Sequence, residues 1–372
     1  MIESKVALEP LQAESIHELV TTSSSPCLTL LLPPYRPAEQ SGSHSAVLKT
    51  LLQDAVRQFQ AKKIPEMVIT DLLEPIRQLG SDAAFLKGSQ SSRAIFRSPD
   101  LFREFELVEP AEASLTIGGC FEIRRLLGEL AVPEYFYLLK ITKKRVDLLR
   151  SKGLRAEPVE LPKGTPSTLE AALSFKQPDH DLENRSSAGT SAAAMHGIRF
   201  GTGAERERAQ AYLADFYKGV DRGIRELLHV GGPPLVLAGV EEDTALYRSV
   251  AAYPNILRES VPGSPAGGQP EVDLLRQAFT IARLNSSDQA AASLMELKER
   301  PAPGRFSVDL DMILKAAGEG RVHQLYLDEN ADKKGDLLNL AAVETIRHGG
   351  TAFTLPSSKM PDRSAAAAVF RY

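Results

Sequence analysis

Leu235-Val236-Leu237-Ala238-Gly239 decides how this chain of 372 residues is read. Four apolar residues closed by a glycine make a short buried strand, and the stretch before them, Ala204 to His229, is a long helix. A helix feeding a buried strand belongs to an α/β domain. Downstream, the pattern predicts a short helix around Thr244 to Ala251 and a strand near Ile256 to Val261. A helix from Glu271 to Leu284 follows and continues through Ala290 to Arg300, with Asn285-Ser286-Ser287 as a candidate break. Upstream, Gln177 to Gly203 is rich in Ser, Ala, Gly, Asp and Asn and loses apolar periodicity. It is the most loop-like region of the sequence.

Further out, Tyr135 to Ile141 and Val146 to Arg150 flank the charged turn Thr142 to Arg145, which predicts a β-hairpin opening a domain after Pro133. A strand candidate at Glu157 to Leu161 follows it. The first 132 residues read as mixed α/β: helices at Leu11–Val20, Val47–Phe59 and Met67–Leu79 (despite Pro75), with strands at Cys27–Leu32, Ala94–Phe96, Phe105–Val108 and Ser114–Ile117. Pro301-Ala302-Pro303-Gly304 ends a helix and stiffens a linker. After it come a helix at Val308–Ala317, a strand at Gln324–Leu327, a helix at Leu337–His348 and strands at Thr351–Leu355 and Ala366–Tyr372. The expected domains are 1–132, 133–300 and 301–372, all α/β.

A net charge of −4 gives no global drive toward nucleic acid, so any RNA contact must be local. The basic clusters are Lys143-Lys144-Arg145 in the hairpin turn and Arg199 to Arg208, where Arg206 and Arg208 alternate with glutamates. Cys27 and Cys120 lie in apolar surroundings and read as a reduced, buried pair, which fits the cytoplasm better than a disulfide framework. No apolar stretch is long enough for a membrane span, and the N-terminus lacks a signal-peptide pattern.

Three stretches resemble one family in their order: Leu235–Gly239 after the long helix, Asp309–Val322 with Leu325-Tyr326-Leu327-Asp328, and the ending Ala367–Tyr372. Pro26–Pro34 with Leu48–Leu52 adds an N-terminal likeness. Together they are similar to the bacterial archaeo-eukaryotic release factor family, relatives of class-I release factors and of Pelota. The resemblance implies a ribonuclease-H-like middle domain and an L7Ae-like α/β/α sandwich at the C-terminus. It also implies a ribosome (rRNA) partner, with a protein partner through the C-terminal domain.

In those relatives a Gly-Gly-Gln loop precedes the long helix. Here Gly267-Gly268-Gln269 follows both helix and strand, between prolines, and reads as a turn leading into a helix. The segment aligned with the family's loop ends Met195 to Gly203 and lacks the glutamine. It supplies His196, Gly197, Arg199, Gly201, Gly203 and, on the helix beyond, Arg206 as a candidate ribosome-directed loop, in which glycines permit close approach and Arg199 pairs with phosphate. The alternative is a flexible loop capped by Thr202, with Glu205 completing a capping box. Lys143, Lys144 and Arg145 form the candidate RNA-contact hairpin, against the reading of a solvated rim.

Asp179-His180-Asp181 with Glu183 are adjacent in one loop, where neighbouring side chains diverge, so no metal site is assigned there. His229 and His348 fit helix C-termini, and His323 lies at a strand entry. No phosphate-binding loop, dinucleotide fingerprint or hydrolase elbow occurs, and no cofactor or catalytic residue is assigned. The expected function is a translation factor of the release, rescue or hibernation type at the ribosomal tRNA site, without Gly-Gly-Gln-dependent peptide release and without DNA or membrane partners. The alternatives are a non-ribosomal protein-interaction module on the same architecture, and a peptidyl-tRNA hydrolase or metal-dependent nuclease.

Overall fold

The computed structural model describes residues 9–11, 13–34, 44–81, 91–174, 203–229, 231–265, 267–299, 304–331 and 335–372. The chain divides into two compact units: Met1–Glu134 with Ala282–Tyr372, and Tyr135–Ile281.

The first unit opens with β1 (Glu9–Pro10), α1 (Ala13–Thr21), β2 (Cys27–Leu32), α2 (His44–Ala61), α3 (Glu66–Leu79), β3 (Ser92–Arg97), β4 (Phe102–Leu107) and β5 (Ser114–Gly118). Their sheet has the order β1-β4-β3-β2-β5, with β2 antiparallel to both neighbours. All six side chains of β2 are buried because the sheet is covered on both faces. Leu28, Leu30 and Leu32 pack with residues of α2 and α3, whereas Cys27 and Leu31 join α1, Phe96 and Phe105 on the other face. That double burial makes the strand a continuous apolar run rather than an alternating one.

Pro75 sits inside α3 without ending it. A proline there cannot donate to the carbonyl of Asp71 four residues back. The Arg97 guanidinium donates to that carbonyl instead, at 3.1 Å.

In the second unit β6 (Phe136–Ile141), β7 (Val146–Lys152) and β8 (Arg155–Val159) form an antiparallel meander. After α5 (Leu169–Ser174) and α6 (Gly203–Leu228), β9 (Leu235–Gly239) pairs parallel to β6. α7 (Glu241–Val250) then leads to β10 (Ile256–Pro262), parallel to β9. In the unit's own numbering the sheet order is 3-2-1-4-5 with only the second strand reversed, the ribonuclease-H-like arrangement. Leu139, Ile141, Leu235 and Leu237 face Phe216, Tyr217, Val220 and Ile224 of α6 and Tyr247 of α7. A Cβ at Gly239 would stand 2.9 Å from the Ile141 carbonyl oxygen, so the strand must end on a glycine to lie this close to β6.

α8 (Glu271–Glu299) is one uninterrupted helix. The helix runs through Asn285-Ser286-Ser287, the candidate break, without interruption. Asn and Ser each cost a helix only roughly 0.5 kcal/mol relative to alanine. Burial of Leu274, Leu275 and Ala278 before them and of Ala290, Ala291 and Leu294 after them outweighs that cost, and Ser287 is itself buried.

The C-terminal part consists of β11 (Phe306–Ser307), α9 (Leu310–Gly318), β12 (Val322–Asp328), α10 (Gly335–Arg347), β13 (Thr351–Leu355) and β14 (Ala366–Phe370), with the sheet order β11-β14-β12-β13. α9 and α10 cover one face. Ala290, Ala291 and Leu294 of α8 meet Tyr326, Leu355, Met360 and Ala367 on the other, which makes an α/β/α sandwich. The Asp309 carboxylate caps α9 by accepting from the amides of Asp311 and Met312, so the helix starts two residues later than Val308.

The core beneath α9 and α10 is continuous with the N-terminal sheet: Phe96, Phe105, Phe121 and Ile123 share it with Ile313, Leu325, Leu338 and Phe370. Asn339 of α10 fastens the two parts. Its Oδ1 accepts from the amides of Ile123 (2.9 Å) and Arg124 (3.2 Å), and its Nδ2 donates to the Phe121 carbonyl (2.9 Å). A 3₁₀ turn (Arg124–Leu126) and α4 (Leu127–Leu130), neither evident from local pattern, follow from this anchor.

Candidate functional site

In open α/β sheets ligands gather beyond the carboxyl ends of parallel strands. For β6 and β9 that place is occupied by the Thr142–Arg145 turn and the first turn of α7. Thr142 closes the hairpin turn: its Oγ1 donates to the Arg145 carbonyl (2.8 Å) and accepts from the Arg145 amide (3.0 Å). Glu241, Glu242 and Asp243 form the first turn of α7, where carboxylates interact favourably with the helix dipole.

Lys143 Nζ donates to Glu242 Oε2 at 2.8 Å, and this bond raises the lysine pKa. Asp243 is buried, which pushes its pKa up against the opposing field of Lys143. Asp243 Oδ1 finds no hydrogen-bond partner among the described residues. The Tyr217 hydroxyl donates to the Thr142 carbonyl at 3.5 Å, and burial holds that phenol well above its ordinary pKa. An ammonium therefore supplies the countercharge to these carboxylates. Among the described residues no group of three or more His, Cys, Asp or Glu could hold a metal ion.

Of the hairpin cations, Arg145 pairs with Asp147, whereas Lys144 has no ion-pair partner among the described residues and carries its charge on an exposed turn. The Lys144 carbonyl accepts from the Leu169 amide at 2.9 Å, which ties the turn to the segment entering α5.

His196, Gly197, Arg199 and Gly201 lie outside the described residues, as do Asp179, His180, Asp181, Glu183 and Thr202. Gly203 and Arg206 fall in the first turns of α6. Gly267-Gly268-Gln269 is an exposed turn, closed by the Gly267 amide donating to the Ser264 carbonyl at 2.8 Å, with Gly268 at φ +78°. It leads into α8, whose first turn carries Glu271 and Asp273. His348 Nδ1 lies 2.9 Å from the Glu344 carbonyl at the end of α10, and His229 ends α6 in a left-handed conformation (φ +56°). His323 is exposed on β12. The cysteines are both free; Cys27 is buried but Cys120, whose Sγ accepts from Asn339 Nδ2 at 3.7 Å, is partly exposed.

Sequence reading missed one polar cavity of about 410 Å³ in the first unit. Glu109, Arg124, Glu129, Arg283, Glu329 and Thr354 line it. The Glu129 carboxylate accepts from the amides of Val108 (3.2 Å) and Glu109 (2.8 Å), yet burial pushes its pKa up to about 8. Arg283 Nε lies 3.3 Å from Glu109 Oε1. These residues come from segments scattered over most of the chain, so no local motif marks them.

A comparison with curated proteins found no match. Among solved structures, the chain is similar to an archaeal translation termination factor, aRF1, at 14% identity, covering 98% of this chain and 99% of that one, with a TM-score of 0.26. It is also similar to Pelota from Archaeoglobus fulgidus (10% identity, 98% and 94% covered, TM-score 0.40). Pelota from Thermoplasma acidophilum is a further likeness (9% identity, 99% and 95% covered, TM-score 0.22). The family model of bacterial archaeo-eukaryotic release factor family 3 matches residues 135–321, half of the chain, and the protein belongs to that family.

Proposed function

We propose that this chain is a cytoplasmic, ribosome-associated translation factor that occupies the tRNA site in release, rescue or hibernation, without Gly-Gly-Gln-dependent peptide release. Membership of the release factor family carries the reading. The second half of the proposal is supported by Gly267-Gly268-Gln269, which forms a short closed turn on α8 beside two carboxylates, a poor setting for approach to an RNA backbone. The ribosome-directed residues are His196, Gly197, Arg199, Gly201, Gly203 and Arg206, with Lys143, Lys144 and Arg145 as the second contact. A protein partner at the C-terminal sandwich is supported by Val308, Met312, Leu337 and Leu340, which are apolar and exposed.

Sedimentation through a sucrose gradient tests the reading. The protein is expected in ribosomal fractions at low salt and is expected to leave them as salt rises, with Lys143→Glu/Lys144→Glu weakening the association. Absence from those fractions at low salt overturns it. Incubation with labelled peptidyl-tRNA, which should stay intact, tests the lack of hydrolysis. A non-ribosomal interaction module is the second reading, favoured by the net charge of −4 and by the pairing of Lys143 with Glu242 and of Arg145 with Asp147. Salt-sensitive binding to purified ribosomes eliminates it.

A further inference from the structure

The second unit carries another surface, on α6. The segment entering α5 is fastened to the hairpin, where the Val146 amide donates to the Ser167 carbonyl and the Leu169 amide to the Lys144 carbonyl, both at 2.9 Å. It then lies directly on α6, which two glycines permit. A Cβ at Gly219 would stand 3.1 Å from Pro166 Cγ, and one at Gly223 would stand 2.9 Å from Thr165 Cβ. Beside this contact runs a groove of about 300 Å³, lined among others by Leu173, Tyr212, Phe216, Lys218 and Arg222.

Its chemistry is specific. Phe216 is buried beneath the groove, while Tyr212 is 51% exposed and presents an aromatic surface to solvent. Lys218 and Arg222 are exposed. At 1.5 Å per residue they stand roughly 9 and 15 Å along the helix axis from Tyr212. Among the described residues Asp215 is the one carboxylate in the lining, 3.9 Å from Lys218 Nζ. Arg222 has no ion-pair partner among the described residues. An exposed ring and two cations lining one groove match the recognition of single-stranded nucleic acid, in which a base stacks and neighbouring phosphates are neutralised. Duplex RNA hides its base faces and would leave the ring unused.

We propose that this groove binds single-stranded RNA, with one base stacked on Tyr212 and backbone phosphates held by Lys218 and Arg222. The assignment of ribosomal RNA as the natural strand rests on the function proposed above; the groove's chemistry does not.

The test is fluorescence anisotropy of the full chain with a labelled single-stranded oligouridylate, titrated at several salt concentrations. Tyr212→Ala is expected to weaken binding about tenfold, and Tyr212→Phe, which keeps the ring face, by less than about twofold. Lys218→Gln/Arg222→Gln is expected to reduce the slope of log K against log salt by about 1.4, the value for two phosphate contacts on a single strand. Thermal melts of each variant identify any loss of fold, which exposed positions should not cause. An oligonucleotide that does not bind, or binding untouched by Tyr212→Ala with an unchanged salt slope, overturns the proposal. Ribosome sedimentation run in parallel separates the two readings. Oligonucleotide binding that responds to these variants without ribosome association removes the ribosomal role alone, whereas ribosome association with no response in the oligonucleotide assay removes the groove alone.

Discussion

Replacing Asn339 with alanine should loosen the first unit from within. The side chain is 5% exposed and makes three backbone hydrogen bonds, to the amides of Ile123 and Arg124 and to the carbonyl of Phe121. Each buried backbone group left without a partner costs about 1–3 kcal/mol. Water entering the vacated space recovers part of that, so the net loss is about 2–4 kcal/mol. Hydrogen exchange measures it locally. Under conditions where exchange reports the opening equilibrium, the amides of Ile123, Arg124 and β12 should exchange roughly 30- to 700-fold faster, taking 1.4 kcal/mol as tenfold. Amides of β9, in the other unit, supply the internal reference. Acceleration below about threefold at Ile123 and Arg124 would refute the claim that Asn339 holds the two parts together.

Glu129 predicts a pH dependence with a definite sign. Its pKa rises from the ordinary 4.5 to about 8 on folding, so between those values the folded state holds a proton that the unfolded state has lost. This contribution to stability is full below about 4.5, is lost as pH rises to about 8, and is flat above. Thermal melts of Glu129→Gln should fall less steeply across that window than those of the parent chain. Gly223→Ala should destabilise the second unit by about 1–2 kcal/mol, because overpacking against Thr165 exceeds the gain in helix propensity. Thr165→Gly should recover much of the loss in a double-mutant cycle read by thermal unfolding. The Cys27 thiol, buried and with its pKa pushed up to about 11, should resist alkylation at neutral pH until denaturant is added, as mass spectrometry would show.

Locally determined features were legible in the sequence. Leu235–Gly239 begins and ends where its apolar run and glycine say it should, and the Tyr135–Arg150 hairpin follows from two β-rich runs around a polar turn. What escaped depends on distant partners. The 3₁₀ turn at Arg124–Leu126 and α4 have no periodicity of their own and are anchored by Asn339, more than two hundred residues away. The continuity of α8 through Asn285-Ser286-Ser287 comes from flanking burial, which overrides three individually weak helix formers. The Glu129 cavity could not be found by spacing, because Glu109, Glu129 and Arg283 meet only after folding. The Tyr212 groove had one readable trace, the Gly219 and Gly223 pair at helical spacing, but its strap is defined only by contact.

The shared core of the first unit also sets a schedule for synthesis. Phe96, Phe105 and Phe121 emerge from the ribosome long before Ile313, Leu325, Leu338 and Phe370, which complete their burial. At roughly 5–20 residues per second, the interval from Leu127 to Leu310 lasts on the order of 10–40 s. Through that wait three aromatic rings of the nascent N-terminal part have only α1 and their own neighbours for cover, while the contiguous unit Tyr135–Ile281 has all its own strands in hand. A chain stopped before Leu310 would lack Ile313, Leu325, Leu338 and Phe370, and the N-terminal sheet would keep part of its apolar face in water.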